Sequence, residues 1–500
     1  MDKAPQGSAQ DQESEGNEGQ GEDQLVQGLE NHETGPEHDS GPAPGHADAK
    51  DTSAEKGAQG AEKPHGDHAE PANAAAPSNA VTAINDKVSK ARTKMYNKGE
   101  KRRLKEQEAR VKSRAGGKDW TAPAIADLIK NGGPQEVLRQ IGQRKPAEAI
   151  ALMKTANQWD PWIVSLGAGK LHNMAAHQLD NLVMDSIIVG PDLVKMFKVR
   201  YNIDVMDGTA AWTDDNIRTC WKQMSVLPAS DVSKNTMVTI MTANSGQGGG
   251  TYSGDAATAP GGTIDMGQDI QGDTENLETT VRHEIGHGVH EQIKGQVDPW
   301  LHNEMGFVSL PDMKSFVDAL GGFPATFTDS AGKSQPFTQP WKDLIVKMID
   351  DHVGDSSWAP ANASPTTGQD ADSTAAYNAL KPEIRNGVTQ SVANWYNNYQ
   401  AFQVKDGSSY FLNHWYHKPM KFSAKAKQSI TATNDTYCAM SPEEFFATCY
   451  AEFFRDPTGI KNEKNWGGNL SGSVKSFFKE VVVKRQPYDK FQKSLRKKHT

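Results

Sequence analysis

The segment DTENLETTVRHEIGHGVHEQIKG, residues 273–295, constrains the fold more than any other part of this chain. Its spacing predicts one helix, with Asp273 or Thr274 as the N-cap and Gly295 at its far end. Apolar residues recur every four positions along it, at Leu277, Val281, Ile285, Val289 and Ile293. His283 and His287 are also four apart, on the side of the helix away from this stripe. The pattern therefore predicts a helix with one side in the core and the other facing a cleft.

The HExxH sequence on such a helix predicts a metal site. His283 and His287, one helical turn apart, can both reach a zinc ion at about 2.0–2.1 Å. Glu284 follows the first ligand and would be the general base that takes a proton from an attacking water. Gly286 and Gly288 each cost the helix about 1 kcal/mol relative to Ala. We attribute them to the close approach of another backbone or of a substrate. The alternative is a pair of surface histidines without a metal.

A catalytic zinc usually has three protein ligands and one open position, so a third ligand is required. In the pattern HExxHxxGxxH the third ligand would be a histidine at position 293, with glycine at 290. This chain has His290 and Ile293 instead. His290 stays open as a ligand or as a residue behind the site, and the main remaining source is a glutamate from another helix.

The best candidate for that glutamate lies in TYCAMSPEEFFATCYAEFF, residues 436–454. Ser441 is a good N-cap, Pro442 fits the first helical position, and Glu444 falls at the third. A broad apolar face follows, formed by Phe445, Phe446, Cys449, Tyr450, Phe453 and Phe454. Glu444 shares a different face with small residues, which leaves room for a metal. The alternative is that Glu444 only closes a capping box, and Glu443 and Glu452 are weaker ligand candidates.

The motifs HEIGHGVHE and TYCAMSPEEFFATCYAEFF resemble the catalytic domain of anthrax lethal factor and related bacterial gluzincins, including Pro-Pro endopeptidases. The resemblance implies that Glu444 is the third zinc ligand and that Tyr437, seven residues earlier, stabilises the developing oxyanion. It covers mainly these two motifs. Thr448 departs from the family, which commonly has an acidic residue there, and about 150 residues separate His287 from Glu444. Residues held in reserve as oxyanion donors are His414, Tyr416 and His417.

The segments before the HExxH helix predict strands and a helix. VRYNIDVMD predicts a strand, DDNIRTCWKQM a helix after an Asp cap, and NTMVTIMTA a second strand. A glycine-rich loop from Ser245 to Gly254 follows, and GGTIDMG predicts a short edge strand. A substrate would add antiparallel to that edge near Thr263–Met266.

These elements predict an α+β fold, a zincin-like metallopeptidase domain over residues 199–500 with a small mixed sheet and an active-site helix. The long separation of the two motifs predicts an inserted subdomain at about residues 296–435. Its Trp and Tyr content, as in NWYNNYQ, indicates a packed helical module or a substrate wall. The stretch SSWAPANASPTTGQDADST within it predicts an exposed loop.

Three further parts are predicted before residue 199. Residues 1–80 carry 17 Asp and Glu against 4 Lys and Arg and lack aromatic residues, which predicts a disordered acidic tail. Residues 81–118 are rich in Lys and Arg and predict an exposed basic helical linker. Residues 119–198 repeat apolar residues at helical spacing and predict a helical subdomain. The basic helix permits binding to nucleic acid or anionic lipid, but aromatic residues are nearly absent and no nucleic-acid partner is expected.

Three cysteines, Cys220, Cys438 and Cys449, give no disulfide framework and no CxxC pair. No apolar run approaches 18 residues, so no membrane span is expected. The chain start shows no Sec signal, which predicts a protein that is either cytoplasmic or exported by a route without a cleaved signal. The family resemblance implies a bacterial cytoplasmic location before any export. The family resemblance implies an effector or toxin that is secreted or delivered into a target cell, with a delivery apparatus acting through the N-terminal region.

Together these features predict a zinc-dependent endopeptidase that hydrolyses peptide bonds in a protein or extended peptide. The expected roles are zinc binding by His283, His287 and Glu444, water activation by Glu284 and oxyanion stabilisation by Tyr437. One rival is a catalytically inactive zincin that binds zinc without turnover and acts as a binding module. Another is a scaffolding or delivery role for residues 1–190, with the metal domain as cargo.

Overall fold

The structure is a computed structural model. It describes residues 79–245, 249–255, 259–267, 272, 274–352, 371–381, 408–412, 419–433, 436–439, 441–455, 467 and 470–498. The predicted acidic tail lies outside the described residues up to position 78. The described part is an α+β arrangement in which helices predominate and the strands form small sheets. The α+β class is therefore confirmed.

The basic segment and the segment after it are helical, as predicted. Helix α1 spans Asn79–Ala115. Six helices follow: α2 Ala122–Asn131, α3 Pro134–Gln143, α4 Pro146–Thr155, α5 Trp159–Leu166, α6 Asn173–Met184 and α7 Pro191–Tyr201. The Thr121 hydroxyl caps α2 by accepting from the amide of Ala124. Helices α3, α4 and α7 begin with proline, which lacks the amide hydrogen that would be unsatisfied there.

Ion pairs fasten α1 to the rest of the structure. Nη2 of Arg110 lies 2.8 Å from Oδ1 of Asp185, whose side chain is fully buried. The ammonium of Lys222 lies 2.9 Å from Glu100 on α1 and 3.0 Å from Glu278 on the HExxH helix. One lysine therefore joins the basic helix to the helix that carries the two histidines.

A four-stranded mixed sheet precedes the HExxH helix. Its strands are β1 Asp204–Asp207, β2 Val238–Asn244, β3 Gly250–Asp255 and β4 Ala259–Gly267, in the order β1-β2-β4-β3. Strands β1, β2 and β4 are parallel, and β3 is antiparallel to β4. Helix α8, Asp214–Ser225, connects β1 to β2 and is capped by Thr213 rather than by an aspartate. The predicted strand–helix–strand order is confirmed, but the first three residues of VRYNIDVMD end helix α7 and only Asp204–Asp207 forms the strand.

Two predictions about the sheet edge are wrong. The predicted loop from Ser245 to Gly254 contains most of strand β3. The segment Thr263–Met266 lies in β4, an inner strand with β2 on one side and β3 on the other. The glycines near β3 favour turns when only the neighbouring sequence is considered. The ladder with β4 and the β-forming run Thr251-Tyr252-Ser253 stabilise an extended backbone instead.

The HExxH helix, α9, spans Thr274–Gln292. The elements after it are α10 Lys294–Asn303, β5 Val308–Ser309, α11 Met313–Ala319, β6 Thr326–Thr328, β7 Ser334–Pro336, α12 Gln339–His352, α13 Ala371–Asn378, β8 Ser409–Leu412, β9 Pro419–Phe422, α14 Ala424–Thr433, a 3₁₀ helix Thr436–Ala439, α15 Pro442–Phe453, α16 Gly472–Phe477, a π-helix Phe478–Val483 and α17 Tyr488–Lys498. Strands β5, β9 and β8 form one antiparallel sheet, and β6 pairs with β7.

The described part of residues 296–435 thus holds both helices and strands, and the inserted subdomain stays a prediction. The predicted exposed loop lies outside the described residues except for its last four positions, which begin α13. The segment NWYNNYQ also lies outside them.

The buried apolar side chains form one connected core, which extends along the chain from Trp120 to Phe491. Aromatic contacts tie the C-terminal helices to α10, where the ring of Trp300 stacks on Phe477 at 3.9 Å between centroids. The three cysteines are buried and none forms a disulfide, as predicted. Among the described helices, none has both the length and the apolar character needed to cross a membrane.

Candidate metal centre

Helix α9 presents its histidines on the side predicted from the sequence. Leu277, Val281, Ile285 and Val289 are at most 1% exposed and form the core side of the helix. Ile293 lies just past the end of α9 and packs against the core. The helix begins at Thr274, and Asp273 lies outside the described residues. It ends at Gln292, so the predicted end at Gly295 is wrong, because Gly295 lies in α10. The side chains of His283 and His287 are 12% and 14% exposed, as expected for residues that line a cleft.

Helix α15 begins as its sequence predicts. The hydroxyl of Ser441 accepts a hydrogen bond from the amide of Glu444 at 3.1 Å, and Pro442 is the first helical residue. This cap places Glu444 in the first turn of the helix. Its side chain is buried and reaches the two histidines of α9. Glu444 is therefore more than a capping residue.

The three predicted ligands converge on one point. Oε2 of Glu444 lies 2.9 Å from Nε2 of His283 and 3.4 Å from Nε2 of His287. The two Nε2 atoms are 3.2 Å apart. Each residue offers a donor atom within 4.8 Å of the others, and the group could hold a metal ion. Two imidazoles and one carboxylate form a ligand set that suits a divalent transition metal.

The pKa values of the two glutamates shift in opposite directions, although both side chains are buried. Burial raises the pKa of Glu284, which is 3% exposed, and the nearby His283 and His287 offset this only in part. Burial would also raise the pKa of Glu444. Hydrogen bonds with the same two histidines outweigh burial and hold the pKa of Glu444 well below its usual range. Glu444 is thus the carboxylate that is stabilised as an anion between the imidazoles.

Gly286 explains how α9 and α15 come close enough for His283, His287 and Glu444 to converge. A Cβ atom at Gly286 would lie 3.1 Å from Cα of Ala447 and 3.3 Å from its carbonyl oxygen. On the other side, a Cβ at Gly288 would lie 2.4 Å from Cγ2 of Val238 in β2. The predicted close approach of another backbone is therefore confirmed at Gly286, where it outweighs the helix propensity that glycine lacks.

Thr448 occupies a position behind one ligand. It is buried, and its hydroxyl oxygen lies 3.4 Å from Nδ1 of His283, on the opposite side of the ring from Glu444. A group there orients the imidazole and fixes which nitrogen faces the metal. A hydroxyl thus stands where the resembling family commonly has a carboxylate.

The edge strand supplies two residues that sequence reasoning missed. Gly250 of β3 comes so near Glu284 that a Cβ there would lie 2.8 Å from Oε1 of the carboxylate. The ring of Tyr252 lies parallel to the imidazole of His287, with 6.2 Å between centroids and 10° between planes. The available signal was the short β-forming run around Tyr252, which the neighbouring glycines outweighed.

Other candidates lie outside the metal group. Nε2 of His290 lies 2.8 Å from Oδ1 of Asp298, and His290 packs against Phe446. Glu452 lies 3.6 Å from Arg455. Glu443 precedes the ligand in α15 and is not part of the metal group either.

Among the candidate oxyanion donors, only the backbone of Tyr437 lies in the described part of the chain. The backbone of Tyr437 lies in the 3₁₀ helix before α15, but its side chain is outside the described part of the chain. His414, Tyr416 and His417 also lie outside the described residues.

Comparisons with protein families, with curated proteins and with solved structures found no match to this chain. The resemblance to lethal-factor-like peptidases therefore rests on the two motifs. The metal-binding group itself rests on the geometry of His283, His287 and Glu444.

Proposed function

We propose that this chain is a zinc-dependent endopeptidase whose zinc is held by His283, His287 and Glu444. The observation that carries the proposal is the spacing of the three donor atoms, 2.9, 3.2 and 3.4 Å. Tetrahedral ligands with bonds of about 2.0–2.1 Å stand about 3.3 Å from one another. The donor set of this chain therefore fits one tetrahedral zinc with a fourth position left for water or substrate.

A bound zinc ion would supply Lewis acidity at this point. Glu284 follows the first ligand on the same helix, and it is buried against the backbone of the edge strand at Gly250. Its carboxylate would take a proton from the attacking water. Tyr437 would donate a hydrogen bond to the developing oxyanion, in keeping with its position just before α15.

The substrate would bind as an added strand along β3. Within the described residues β3 pairs only with β4, so its other edge offers backbone hydrogen bonds. An extended peptide antiparallel to β3 would pass beside Glu284, because Gly250 contacts that residue. The proposed substrate strand therefore pairs with β3, in place of the inner segment Thr263–Met266 expected from the sequence.

The test compares purified wild-type protein with Glu284→Gln, after the bound metal of each has been quantified. Wild type is expected to hold about one zinc per chain and to cleave members of a peptide library. Glu284→Gln should keep the zinc and lose about 100-fold or more of the cleavage rate. Glu275→Gln, on the exposed first turn of the same helix, is the matched control and should cleave like wild type.

Two outcomes would contradict the proposal. Wild type without zinc would remove the metal centre, and Glu284→Gln cleaving at the wild-type rate would remove the general base. Stoichiometric zinc without cleavage of any library member would favour the rival, an inactive zincin that serves as a binding module.

A further inference from the structure

The alternation of strand β3 directs two residues toward the metal centre. Gly250 and Tyr252 pair with Met266 and Ile264 of β4, both fully buried. Because side chains alternate along a strand, this face of β3 lies toward α9. Thr251 lies on the opposite face and is exposed. The strand that would receive the substrate therefore also faces the residues that hold the metal.

Tyr252 is held at both ends of its side chain. Its backbone belongs to the β3–β4 ladder, and its hydroxyl donates to the carbonyl oxygen of Met237 at 3.0 Å. A Cβ atom at Gly262 would lie 2.7 Å from Cε2 of the ring, so the ring occupies space that only glycine leaves. The flat face of this fixed ring lies parallel to the imidazole of His287. The ring of Tyr252 is thus fixed in position beside His287, one of the three candidate metal ligands.

Gly250 lies two residues before Tyr252 in β3, and it contacts Glu284 instead of His287. A Cβ atom there would lie 2.5 Å from Cγ2 of Thr280 and 2.8 Å from Oε1 of Glu284. The backbone of β3 therefore lies directly against the carboxylate. Any larger residue would push Glu284 or the strand away from the present position.

We propose that Tyr252 and Gly250 are positioning residues, through which the edge strand orients His287 and Glu284 respectively. The proposal rests on the proposed function in one respect, since a substrate that pairs with β3 would be positioned by the same strand. Metal ligand, general base and substrate backbone would then be held by one strand. A displacement of about 1 Å of the base or of the substrate can lower the rate about 100-fold.

The first test measures zinc affinity by competition with a chromophoric chelator. Tyr252→Met fills the space with a flexible apolar chain and should bind zinc about 10–100-fold more weakly than wild type. Tyr252→Phe keeps the ring and should stay close to wild type. Circular dichroism checks that each variant is folded. A folded Tyr252→Met with wild-type affinity would overturn the role of Tyr252.

If Tyr252→Met does not fold, Tyr252→Leu takes its place and is compared with Tyr252→Phe, because Phe keeps the flat ring and Leu does not. Equal zinc affinity in these two would contradict the proposal. The absorption spectrum of the cobalt-substituted protein is the second measurement. It should change in the variant without a ring, because the spectrum reports the geometry of the ligands.

The second test separates Gly250 from Tyr252. Gly250→Ala should keep wild-type zinc affinity and lose about tenfold or more in kcat with little change in KM, because the base moves while the ligands stay. Thr251→Ala, on the opposite face, should match wild type in both. Unchanged kcat in Gly250→Ala would overturn the role of Gly250. If wild type cleaves nothing, the proposed function fails, whereas the zinc affinities of the Tyr252 variants still test the positioning role.

Discussion

Oε2 of Glu444 lies 2.9 Å from Nε2 of His283, although 161 positions separate the two residues in the chain. Neither helix alone would be able to hold a metal ion, because α9 would supply two donors and α15 the third. The convergence of the three donor atoms depends on the close crossing of α9 and α15 at Gly286 and Ala447. Metal binding should therefore report on the packing of these two helices as well as on the ligands.

Replacing Glu444 by Gln should abolish tight zinc binding. The amide lacks the charge that the imidazoles stabilise, and we expect zinc affinity to fall by more than about 100-fold, since loss of a partner behind a ligand already costs about 10–100-fold. Isothermal titration with zinc measures this. Glu452→Gln, two turns along the same helix, is the control and should bind like wild type. A Glu444→Gln protein with wild-type affinity would show that another residue is the third ligand.

Replacing Gly286 by Val should destabilise the protein and weaken the metal site together. The added atoms would meet the backbone of Ala447 at about the 3.1 Å already found for a Cβ. We expect the free energy of unfolding of the metal-free protein to fall by about 1–3 kcal/mol, and zinc affinity to fall with it. Urea denaturation and zinc titration measure the two effects.

Gly295→Ala in α10 is the matched control for Gly286→Val. A Cβ there meets no described atom within 4 Å. The free energy of unfolding should therefore rise by about 0.5–1 kcal/mol, with zinc affinity unchanged. Equal effects of the two substitutions would mean that the helix crossing does not position Glu444.

Local signals were sufficient to predict the elements that carry the ligands. The four-residue apolar repeat of α9 fixes which side of the helix enters the core, and hence where His283 and His287 point. Ser441 and Pro442 mark the start of α15, and hence the position of Glu444 in its first turn. The contact between the two helices is not a local property of the chain, so its prediction depends on the need for a third ligand and on the family resemblance.

The edge strand shows what local signals miss. The run around Tyr252 is flanked by glycines, which favour turns in isolated sequence. Its extended form depends on the ladder with β4, a contact between segments that sequence periodicity does not measure. The contacts of Gly250 with Glu284 and of Tyr252 with His287 follow from that ladder, so they could not be predicted from the sequence either.

Thr448 should contribute to zinc affinity through His283. Its hydroxyl lies 3.4 Å from Nδ1, and Thr448→Val removes this oxygen with little change in shape. We expect zinc affinity to fall by about tenfold, whereas Thr448→Asp should bind at least as tightly as wild type, because a carboxylate accepts more strongly from an imidazole. The control is Thr279→Val, on the exposed side of α9. Wild-type affinity in Thr448→Val would show that the hydroxyl does not support His283.

The ion pairs of Glu100 should make the stability of the metal-free protein depend on pH. Burial raises the pKa of Glu100, but hydrogen bonds and charge from Lys222 and Arg103 outweigh it and lower the pKa below 4.5. A carboxylate whose pKa is lower in the folded state stabilises the fold above its unfolded pKa. That contribution is lost as the pH falls through the lower, folded value.

Glu100→Gln should therefore lower Tm at pH 7, and the difference from wild type should shrink at an acidic pH below the ordinary pKa of a glutamate. We expect about 1 kcal/mol or less, because the pair is only partly buried. This corresponds to a shift of about 1 °C or less, because the unfolding entropy of a chain of 500 residues is about 1 kcal/mol/K. Glu106→Gln removes an exposed pair with Arg102 on the same helix and should leave Tm nearly unchanged at both values. A difference for Glu100→Gln that grows toward low pH would mean that Lys222 does not hold Glu100 as an anion, and that α1 is joined to α9 by other contacts.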